Sequence, residues 1–479
     1  MKKLSELYEC NYDTWVNDIK INSREIIEGD IFVCTMGVND DRHNFIDDAI
    51  SKGATAIVVS KDVNKDIPTI KVENTNKELP VLAKKLYDYN DELTLIGVTG
   101  TDGKTTTSTI VRQMLGIDNC GFIGTIGVFG KEFHDKPNNT TPDSHLLYKY
   151  LGTFVKEGLK YATMEASSEA YYQKRLDSFK FNIGILTNIT RDHLNIHKTM
   201  ENYIDCKKKL FESIPSDGTA ILNIDDAYYS EFLNACNCNI MTYGKDNNAT
   251  LVITSYKEHD TNTDITFTYN NKEYQIVSPL VGHYNVYNLA AAILALLAAN
   301  YSFEEILEKI PYLTLAPGRS EMLEFGQKYK IVLDYAHTPN ALHNILAFLN
   351  SIKKGKIITV TGSAGGREKE KRQDMGKACQ ELSDLVIYTM DDPRYEKVSD
   401  IINDLIDNSK DNYIAIEDRK EAIKKAFELA NENDIILIAG KGRDNYMAIE
   451  DKYIDYNDYE VIKEYFDDSE VEWSTESAK

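Results

Sequence analysis

Short runs of apolar, often β-branched residues recur along most of this chain, and stretches with helical periodicity lie between them. Clear examples are DIFVC (30–34), ATAIVVS (54–60), LTLIGVTG (93–100), FNIGILTNI (181–189), KIITVTG (356–362), DLVIYTM (384–390) and DIILIAG (434–440). Because these runs do not alternate with polar residues, the strands they form must be buried on both faces, as in parallel sheets covered by helices. The pattern therefore predicts an α/β protein.

The length of the chain predicts more than one domain. At 479 residues it exceeds what one hydrophobic core organises, and the usual domain size suggests about three. A helical stretch closes the segment before residue 90, and LAPGRSEML (315–323) is typical of a linker. We therefore predict domains at 1–90, 91–312 and 313–479. Alternating residues in 249–279 predict a small antiparallel insert in the second domain.

Composition excludes several classes of function. The formal net charge of −22 disfavours general binding to nucleic acid or to anionic membranes. The longest apolar run, 289–299, is far shorter than the roughly 20 residues of a membrane span. The N-terminus carries no apolar signal segment, and the seven cysteines are scattered, as in reduced proteins. We expect a soluble cytoplasmic protein, most simply a monomer, without nucleic-acid or membrane partners.

A glycine-rich segment after one apolar run predicts a phosphate-binding loop. It reads GVTGTDGKTTT (97–107) and leads into a helical pattern. Glycines allow backbone N–H groups to approach phosphate oxygens, and a helix N-terminus favours negative charge. Val98 stands where the strict form of the motif has glycine, and a simple turn before a helix is the alternative. The candidate nucleotide-binding residues are Gly100, Thr101, Asp102, Gly103, Lys104, Thr105 and Thr106.

Two more polar clusters follow apolar runs. Glu165 and Ser168 come just after GLKYATM, and Asp192 with His193 follows FNIGILTNI. Either cluster alone is more often structural than functional. Since the carboxyl ends of parallel strands meet at one edge of a sheet, their recurrence beside a phosphate loop favours a common site. A carboxylate there suits Mg²⁺.

The ordered set of segments resembles the Mur ligases, and most closely the tripeptide synthetase subfamily. Over roughly residues 20–450 the chain carries GVTGTDGKTTT, NTTPDS, MEASSEA, TNITRDHLNIH, TMENYIDCKKKLF, GHYNVYNLAAA, APGRSEM, DYAHTPNAL, GSAGGREKEKR, DDPR and AGKGRDNY in the family's order. The resemblance implies an N-terminal UDP-binding α/β domain, a central P-loop-type parallel-sheet domain that binds ATP, and a Rossmann-like C-terminal domain that binds the amino acid and closes the site.

The resemblance also implies a reaction. ATP would phosphorylate the free carboxylate of UDP-N-acetylmuramoyl-L-alanyl-D-glutamate, and the amine of a third amino acid would attack the acyl phosphate. The family's catalytic positions fall on Lys104, Glu165, His193 and Lys207, and its Mg²⁺ ligands on Thr105, Glu165, His193 and Lys207. Lys207, four residues after Tyr203, matches a lysine carbamylated by CO₂; without the resemblance, the run 207–209 reads as a solvated helix face.

Further family positions concern the two nucleotides. Those expected to bind the UDP substrate fall on Ser23, Thr140, Thr141, Ser168 and Arg175. Those expected to contact ATP or close the domains fall on Asn288, Arg319, Asp334 and His337. For Asn288, a helix-capping role explains the residue nearly as well.

The identity of the third amino acid stays open between meso-diaminopimelate and L-lysine. The expected pocket residues are Arg367, Asp391, Asp392, Pro393, Arg394, Gly440 and Asp444. Arg394 can bind a second carboxylate and favours diaminopimelate, whereas Asp392 and Asp444 suit the lysine ammonium. Other hypotheses are a Mur-type ligase acting on another acid and a nucleotide-binding protein on a decayed ligase. The N-terminal domain and the four retained catalytic residues argue against them.

Overall fold

The computed structural model describes residues 1–37, 40–407 and 409–476. The strands are β1 (Lys2–Lys3), β2 (Trp15–Val16), β3 (Ile19–Lys20), β4 (Ile31–Val33), β5 (Ala56–Val59), β6 (Thr69–Lys71), β7 (Thr94–Thr99), β8 (Cys120–Gly124), β9 (Gly127–Phe129), β10 (His134–Asp135), β11 (Tyr161–Glu165), β12 (Ile183–Leu186), β13 (Thr219–Asn223), β14 (Asn239–Gly244), β15 (Leu251–Glu258), β16 (Thr263–Tyr269), β17 (Lys272–Ser278), β18 (Glu321–Leu323), β19 (Lys330–Asp334), β20 (Ile357–Thr361), β21 (Leu385–Tyr388), β22 (Tyr413–Ala415), β23 (Ile435–Ala439), β24 (Tyr446–Ile449) and β25 (Lys452–Asp455).

The helices lie between these strands. They are α1 (Leu4–Leu7), α2 (Ile46–Ser51), α3 (Thr75–Leu86), α4 (Lys104–Leu115), α5 (Ser144–Lys156), α6 (Ser168–Tyr172), α7 (Leu194–His197), α8 (Met200–Glu212), α9 (Tyr229–Ala235), α10 (His283–Ala298), α11 (Phe303–Leu307), α12 (Pro339–Ile352), α13 (Glu370–Leu382), α14 (Val398–Leu405), α15 (Arg419–Leu429) and α16 (Asp458–Glu476). Within the described residues, no helix is long and apolar enough to cross a membrane.

The chain forms two compact units. The first comprises Met1–Leu95 and Gly116–Lys180, and the second comprises Ile96–Leu115 and the chain from Phe181 onward. In the first unit, β3-β4-β5-β6 form a parallel sheet whose core includes Phe32, Ile57 and Val59. The same unit contains strands in the order β10-β9-β8-β11, of which only β8 and β11 pair in parallel.

The second unit contains strands in the order β7-β12-β13-β14-β15-β16-β17. The pairs from β7 to β15 are parallel, and every residue of β12 is buried, as its continuous apolar run predicts. The last three strands form an antiparallel meander, which confirms the insert predicted for 249–279. Helix α10 packs against α4 and against β13, β14 and β15, so it holds this sheet to the helix that follows the phosphate loop.

A second sheet in this unit has the order β18-β19-β23-β20-β21-β22, with all pairs parallel except β18 to β19. One core lies between this sheet and α12, α13 and α14, and another lies between the sheet and α15 and α16. Successive residues such as Ile436 and Leu437 enter opposite cores, which explains why β23 is apolar throughout. The segment 315–323, predicted to be a linker, is not a linker throughout. Its last three residues form the edge strand β18, which pairs with β19.

A glycine sets the distance between α13 and α14. A Cβ on Gly376 would lie 1.5 Å from the carbonyl oxygen of Leu405, which is backbone and cannot rotate away. We therefore expect Gly376→Ala to separate the helices and to destabilise the unit by about 2–3 kcal/mol, which lowers the thermal midpoint by roughly 5 °C or more. Thermal unfolding monitored by circular dichroism measures this shift. Lys377→Ala, at the exposed next position, is the control, and an equal midpoint in the two variants would contradict the prediction.

Candidate active site

The glycine-rich loop joins β7 to the N-terminus of α4. Gly100 and Gly103 have φ angles of 143° and 82°, and a Cβ on Gly100 would lie 1.9 Å from Oγ1 of Thr187. The N–H of Thr101 donates to the carbonyl of Asn188 (2.7 Å), which ties the loop to the end of β12. The first N–H groups of an α-helix have no acceptor within the helix. The loop therefore presents the amino end of α4, as a phosphate-binding loop must.

The side chains of the loop are held by neighbouring groups. Nζ of Lys104 donates to the carbonyls of Gly100 (2.9 Å) and Thr101 (2.7 Å), so the cation stays over the loop. Oγ1 of Thr105 accepts a hydrogen bond from Arg319 (3.0 Å). The carboxylate of Asp102 accepts from Oγ1 of Thr338 (3.1 Å) at the start of α12. Thr106 is buried in the first turn of α4.

Asn288 lies beneath the loop rather than at a helix end. It occupies the middle of α10, where its Oδ1 accepts from Oγ1 of Thr107 (3.2 Å) and its Nδ2 donates to Oδ1 of Asn285 (2.9 Å). A Cβ on Gly103 would come within 2.5 Å of the Asn288 oxygen. The helix-capping interpretation is therefore wrong. The structure assigns Asn288 to the support of the loop, and direct contact with a nucleotide stays a prediction.

Arg319, Asp334 and His337 lie around the end of β19. The guanidinium of Arg319 stacks on the Tyr335 ring, 4.4 Å from its centroid. Asp334 is buried, accepts from the backbone N–H groups of Ser320 (2.5 Å) and Ala336 (2.7 Å), and has its pKa raised by burial. These bonds shape the turn that carries His337. Burial, followed by the charge of Lys371, lowers the pKa of His337, so the ring is neutral at physiological pH.

A buried cluster of charges lies beyond β12. His193 has a φ of 57°, and its Nε2 lies 3.3 Å from the carboxylate of Asp192. Oδ1 of Asp192 also accepts from Nζ of Lys371 (3.2 Å). Burial raises the pKa of Asp192, but the neighbouring His193 and Lys371 outweigh it and hold the pKa below its ordinary value. Burial lowers the pKa of His193 to about 3, which leaves a neutral imidazole able to act as a ligand.

Lys207 is completely enclosed. It projects from α8, donates from Nζ to the carbonyl of Gly100 (2.6 Å) and lies 4.6 Å from the centroid of the Tyr203 ring. Tyr203 in turn bonds with Oγ1 of Thr101 (3.0 Å). Burial and then the charge of Lys104 lower the pKa of Lys207 well below its ordinary value. The solvated-face interpretation of this lysine is wrong, because the helical period turns it, unlike Lys208, into the core.

A polar pocket adjoins this cluster within the second unit. Its walls include Asp192, His193 and His337 on one side. Six of the seven residues predicted for the amino-acid pocket line the remainder: Arg367, Asp391, Asp392, Arg394, Gly440 and Asp444. The seventh, Pro393, is buried and does not line the pocket. Its carbonyl oxygen would lie 1.9 Å from a Cβ on Gly365, in the segment that follows β20.

One acidic and one basic side chain near the pocket, Asp392 and Arg443, form ion pairs with other residues of the protein. Oδ1 of Asp392 accepts from Nζ of Lys441 (2.8 Å) and from the N–H of Ala448 (2.8 Å). Arg443 pairs with Glu321 (2.5 Å) and stacks on the ring of Tyr459 at 3.5 Å. Oδ1 of Asp392 is therefore already engaged by a cation and a backbone N–H. By contrast, within the described residues neither Arg367 nor Arg394 forms an ion pair.

Sequence reasoning missed three charged residues at the pocket. Lys371 pairs with Asp192, Glu368 pairs with Arg191, and Lys441 binds the carboxylate of Asp392 while facing the ring of Tyr446. Lys371 and Glu368 are hidden in the charged run REKEKR, which reads as a solvated surface, and Lys441 sits between two glycines. The signal that could have found them is the position of both segments directly after apolar strands.

The predicted UDP-binding residues and Glu165 lie in the first unit. Glu165 is fully buried, and its carboxylate accepts from the N–H (2.8 Å) and the Oγ1 (3.1 Å) of Thr125. Oγ1 of Thr140 also lies 3.1 Å from Oγ1 of Thr125. Thr141 donates to the carbonyl of Glu165 (2.6 Å) and accepts at its own carbonyl from Arg175 (3.0 Å).

The remaining two predicted UDP-binding residues begin short helices. Ser168 is the first residue of α6, directly after the capping Ser167. Ser23 opens a one-turn 3₁₀ helix at Ser23–Glu25, where its carbonyl accepts from Lys52 (3.3 Å). The structure therefore gathers Glu165, Thr140, Thr141 and Arg175 around one loop and puts Ser23 on a separate turn.

The protein side chains fit a magnesium ion that is held largely by phosphate and water. Among the described residues, no group of three or more histidine, cysteine, aspartate or glutamate side chains is arranged to hold a metal. Mg²⁺ keeps several waters and binds through few protein groups plus substrate phosphates, unlike a structural metal with a full protein cage. The hydroxyl oxygen of Thr105, in the first turn of α4, suits such a site, His193 could add a nitrogen ligand, and Lys207 would suit it only as a carbamate, which carries oxygen atoms.

Comparison with known proteins identifies three matching domains. Residues 16–96 match the description "Mur ligase family, catalytic domain", residues 98–296 match "Mur ligase middle domain", and residues 318–442 match "Mur ligase, glutamate ligase domain". Together they account for most of the chain, with a large, mostly parallel sheet in the middle.

Curated relatives match over nearly the full length. The chain is 38% identical to a protein from Clostridium tetani (strain Massachusetts / E88), covering 98% of each, and 37% identical to one from Aquifex aeolicus (strain VF5), covering 94% of this chain and 93% of that one. Both relatives are named UDP-N-acetylmuramoyl-L-alanyl-D-glutamate–2,6-diaminopimelate ligase.

A solved structure of a ligase with that name has a TM-score of 0.64 at 28% identity, covering 98% of this chain and 99% of its own. A Thermotoga maritima MurF ligase in complex with ADP has a TM-score of 0.69 at 21% identity, covering 88% and 94%, and supports the fold alone. With three matching domains and relatives this similar over the whole length, the chain belongs to the Mur ligase family of ATP-dependent ligases.

Proposed function

We propose that this protein joins 2,6-diaminopimelate to the D-glutamyl carboxylate of UDP-N-acetylmuramoyl-L-alanyl-D-glutamate, with hydrolysis of ATP to ADP and phosphate. The observation that carries the proposal is the pair of arginines, Arg367 and Arg394, that line one pocket without an ion pair among the described residues. Diaminopimelate has two carboxylates, and each guanidinium can bind one through two charge-assisted hydrogen bonds. The names of the curated relatives support the same substrate.

The reaction proceeds in two steps. A carboxylate oxygen attacks the γ-phosphorus of ATP, and ADP leaves. The substrate amine then attacks the carbonyl carbon of the acyl phosphate, loses a proton and expels phosphate. Activation is needed because a carboxylate is a poor electrophile, and catalysis is mainly positioning and charge neutralisation.

Individual residues have separate parts in these steps. Lys104 and the amino end of α4 hold the transferred phosphoryl group, while Arg319 orients the Thr105 hydroxyl 3.0 Å away. Mg²⁺ would neutralise phosphate charge, and Thr105, His193 and a carbamylated Lys207 of the second unit would hold it; for Glu165, in the first unit, the role of metal ligand stays a prediction. The neutral His193 and the ion pair of Lys371 with Asp192 line the amino-acid pocket.

Diaminopimelate is favoured over lysine by the charges that remain available. The carboxylate of Asp392 is occupied by Lys441 and Ala448, so it does not neutralise Arg394. Lysine would leave Arg394 facing an ammonium group, which is a repulsive contact in a partly dehydrated pocket. Asp391 and Asp444 also line the pocket, and Asp391 lies 3.7 Å from Nζ of the same Lys441.

Parallel assays of phosphate release with diaminopimelate and with L-lysine test the function and the choice of amino acid. We expect the wild type to prefer diaminopimelate by a hundredfold or more in kcat/KM, and Arg394→Ala to remove most of that preference by losing a bidentate carboxylate contact. Lys397→Ala, an exposed cation three residues away, is the control and should leave the preference unchanged. A wild-type preference for lysine that Arg394→Ala leaves intact would overturn the substrate assignment but not the ligase assignment.

Other features belong to the same proposal. We infer domain boundaries near residues 90 and 313, UDP-substrate contacts at Ser23, Thr140, Thr141, Ser168 and Arg175, and a requirement for Mg²⁺. We expect the protein to act as a monomer in the cytoplasm, where ATP and the nucleotide-linked substrate are present. We expect it to need no nucleic acid or membrane. Gel filtration tests whether the protein is a monomer, and assays after metal depletion test the requirement for Mg²⁺.

A further inference from the structure

Two loops at the carboxyl edge of the six-stranded sheet carry the pocket arginines. The first loop, 362–369, follows β20 and carries Arg367, and the second loop, 389–397, follows β21 and carries Arg394. Since β20 and β21 are adjacent parallel strands, the loops leave the sheet side by side. The distance between the two guanidinium groups therefore depends on how these loops are held together.

Ion pairs with Glu396 join the loops, one from the buried Arg372 and one from Lys369 of the first loop (3.4 Å). Arg372, in the first turn of α13, donates from both terminal nitrogens to the two oxygens of Glu396 (2.9 and 3.0 Å). The same guanidinium donates to the carbonyl of Ala364 (3.2 Å), and Oε1 of Glu396 accepts from the N–H of Gly366 (2.6 Å). Two side chains thus tie the backbone of the first loop to the second loop on both sides of Gly365.

The contact is close and electrostatically strong. Gly365 donates from its N–H to the carbonyl of Asp392 (3.0 Å), and a Cβ on it would collide with the Pro393 carbonyl at 1.9 Å. Arg372 has no exposed surface, and its side chain holds the pKa of Glu396 at about 2. A buried guanidinium with a bidentate carboxylate is geometrically restrictive, because both partners lose contacts if either moves.

We propose that Arg372 and Glu396 are a positioning pair that sets the spacing of Arg367 and Arg394, and thereby makes the pocket selective for an amino acid with two carboxylates. The proposal rests on the proposed function, because it assigns the pair an effect on that same pocket. Neither residue lines the pocket, so the pair acts through the loops and not by contact with substrate.

Glu396→Gln and Arg372→Lys test the proposal. The glutamine amide puts a donor against an Arg372 donor, and the lysine keeps the charge but loses the two-pronged geometry. We expect each variant to raise KM for diaminopimelate about tenfold, to leave KM for ATP and for the UDP-linked substrate within about twofold, and to lower the preference over lysine. A purely structural role would reduce the active fraction and hence kcat for all substrates alike.

Asp404→Asn is the matched control. Asp404 accepts from the same Arg372 guanidinium (2.8 Å) but lies on α14 and bonds to neither loop through its carboxylate, so its loss should leave KM for diaminopimelate within about twofold. An unchanged KM in both test variants, or an equal rise in the control, overturns the positioning role. If one test variant fails to fold, the other decides the question. Failure of the wild type to use either amino acid would instead overturn the proposed function.

Discussion

Lys104→Ala is expected to lower kcat for ATP-dependent ligation by about a hundredfold to a thousandfold. Lys104 is the cation over the phosphate loop, held 2.9 Å from the Gly100 carbonyl and 2.7 Å from that of Thr101. A fixed charge of this kind stabilises the transferred phosphoryl group more in the transition state than in the ground state, so its loss falls mainly on kcat. Phosphate release under saturating ATP measures the effect.

The variant should remain folded, which separates a chemical loss from a structural one. Lys104 is the first residue of α4, and alanine is a good helix former. Lys354→Ala, which removes an exposed lysine from the same unit, is the control and should keep wild-type turnover. If Lys104→Ala retained near-normal kcat, the segment would be a simple turn before a helix and the phosphate-loop assignment would be wrong.

Lys207→Ala is expected to lower activity by a similar factor, because the active enzyme should carry a carbamate there. Carbamylation joins the neutral amine to CO₂, forms an N–C bond and releases one proton. Burial and then the charge of Lys104 lower the pKa of Lys207 well below that of an ordinary lysine, which favours the neutral amine that the reaction with CO₂ needs. The product is an anionic oxygen ligand suited to Mg²⁺.

Three measurements check this modification. Carbon-13-labelled bicarbonate should give a carbamate signal in the wild type that is lost in Lys207→Ala. Depletion of CO₂ should reduce wild-type activity reversibly, and short carboxylates should partly restore the variant by occupying the vacated position. Lys208→Ala is the control, since the neighbouring Lys208 pairs with Asp205 near the surface. Full activity of Lys207→Ala, or no labelled carbamate in the wild type, would contradict the prediction.

The sequence by itself determined the layers of the fold and the place of the phosphate loop. A continuous apolar run such as FNIGILTNI forms a strand whose two faces must both be buried, which layers of helices on either side of a sheet achieve. Every residue of β12 is buried in the structure. Alternation over 249–279 likewise specified an antiparallel meander. These features are local. The spacing of apolar residues within one strand decides which of its faces are buried, and each glycine affects only the backbone conformation at its own position.

Only the tertiary structure decided which charges remain available in the pocket. Asp392 and Arg394 are two residues apart, yet Asp392 is occupied by Lys441, 49 positions away, whereas Arg394 has no ion-pair partner among the described residues. Arg443 is likewise removed from the pocket by Glu321, 122 positions away. A charged residue has the same sequence pattern whether it is solvated, paired or free to bind. Its partner is set by the way distant strands bring their loops together, and that is a property of the fold.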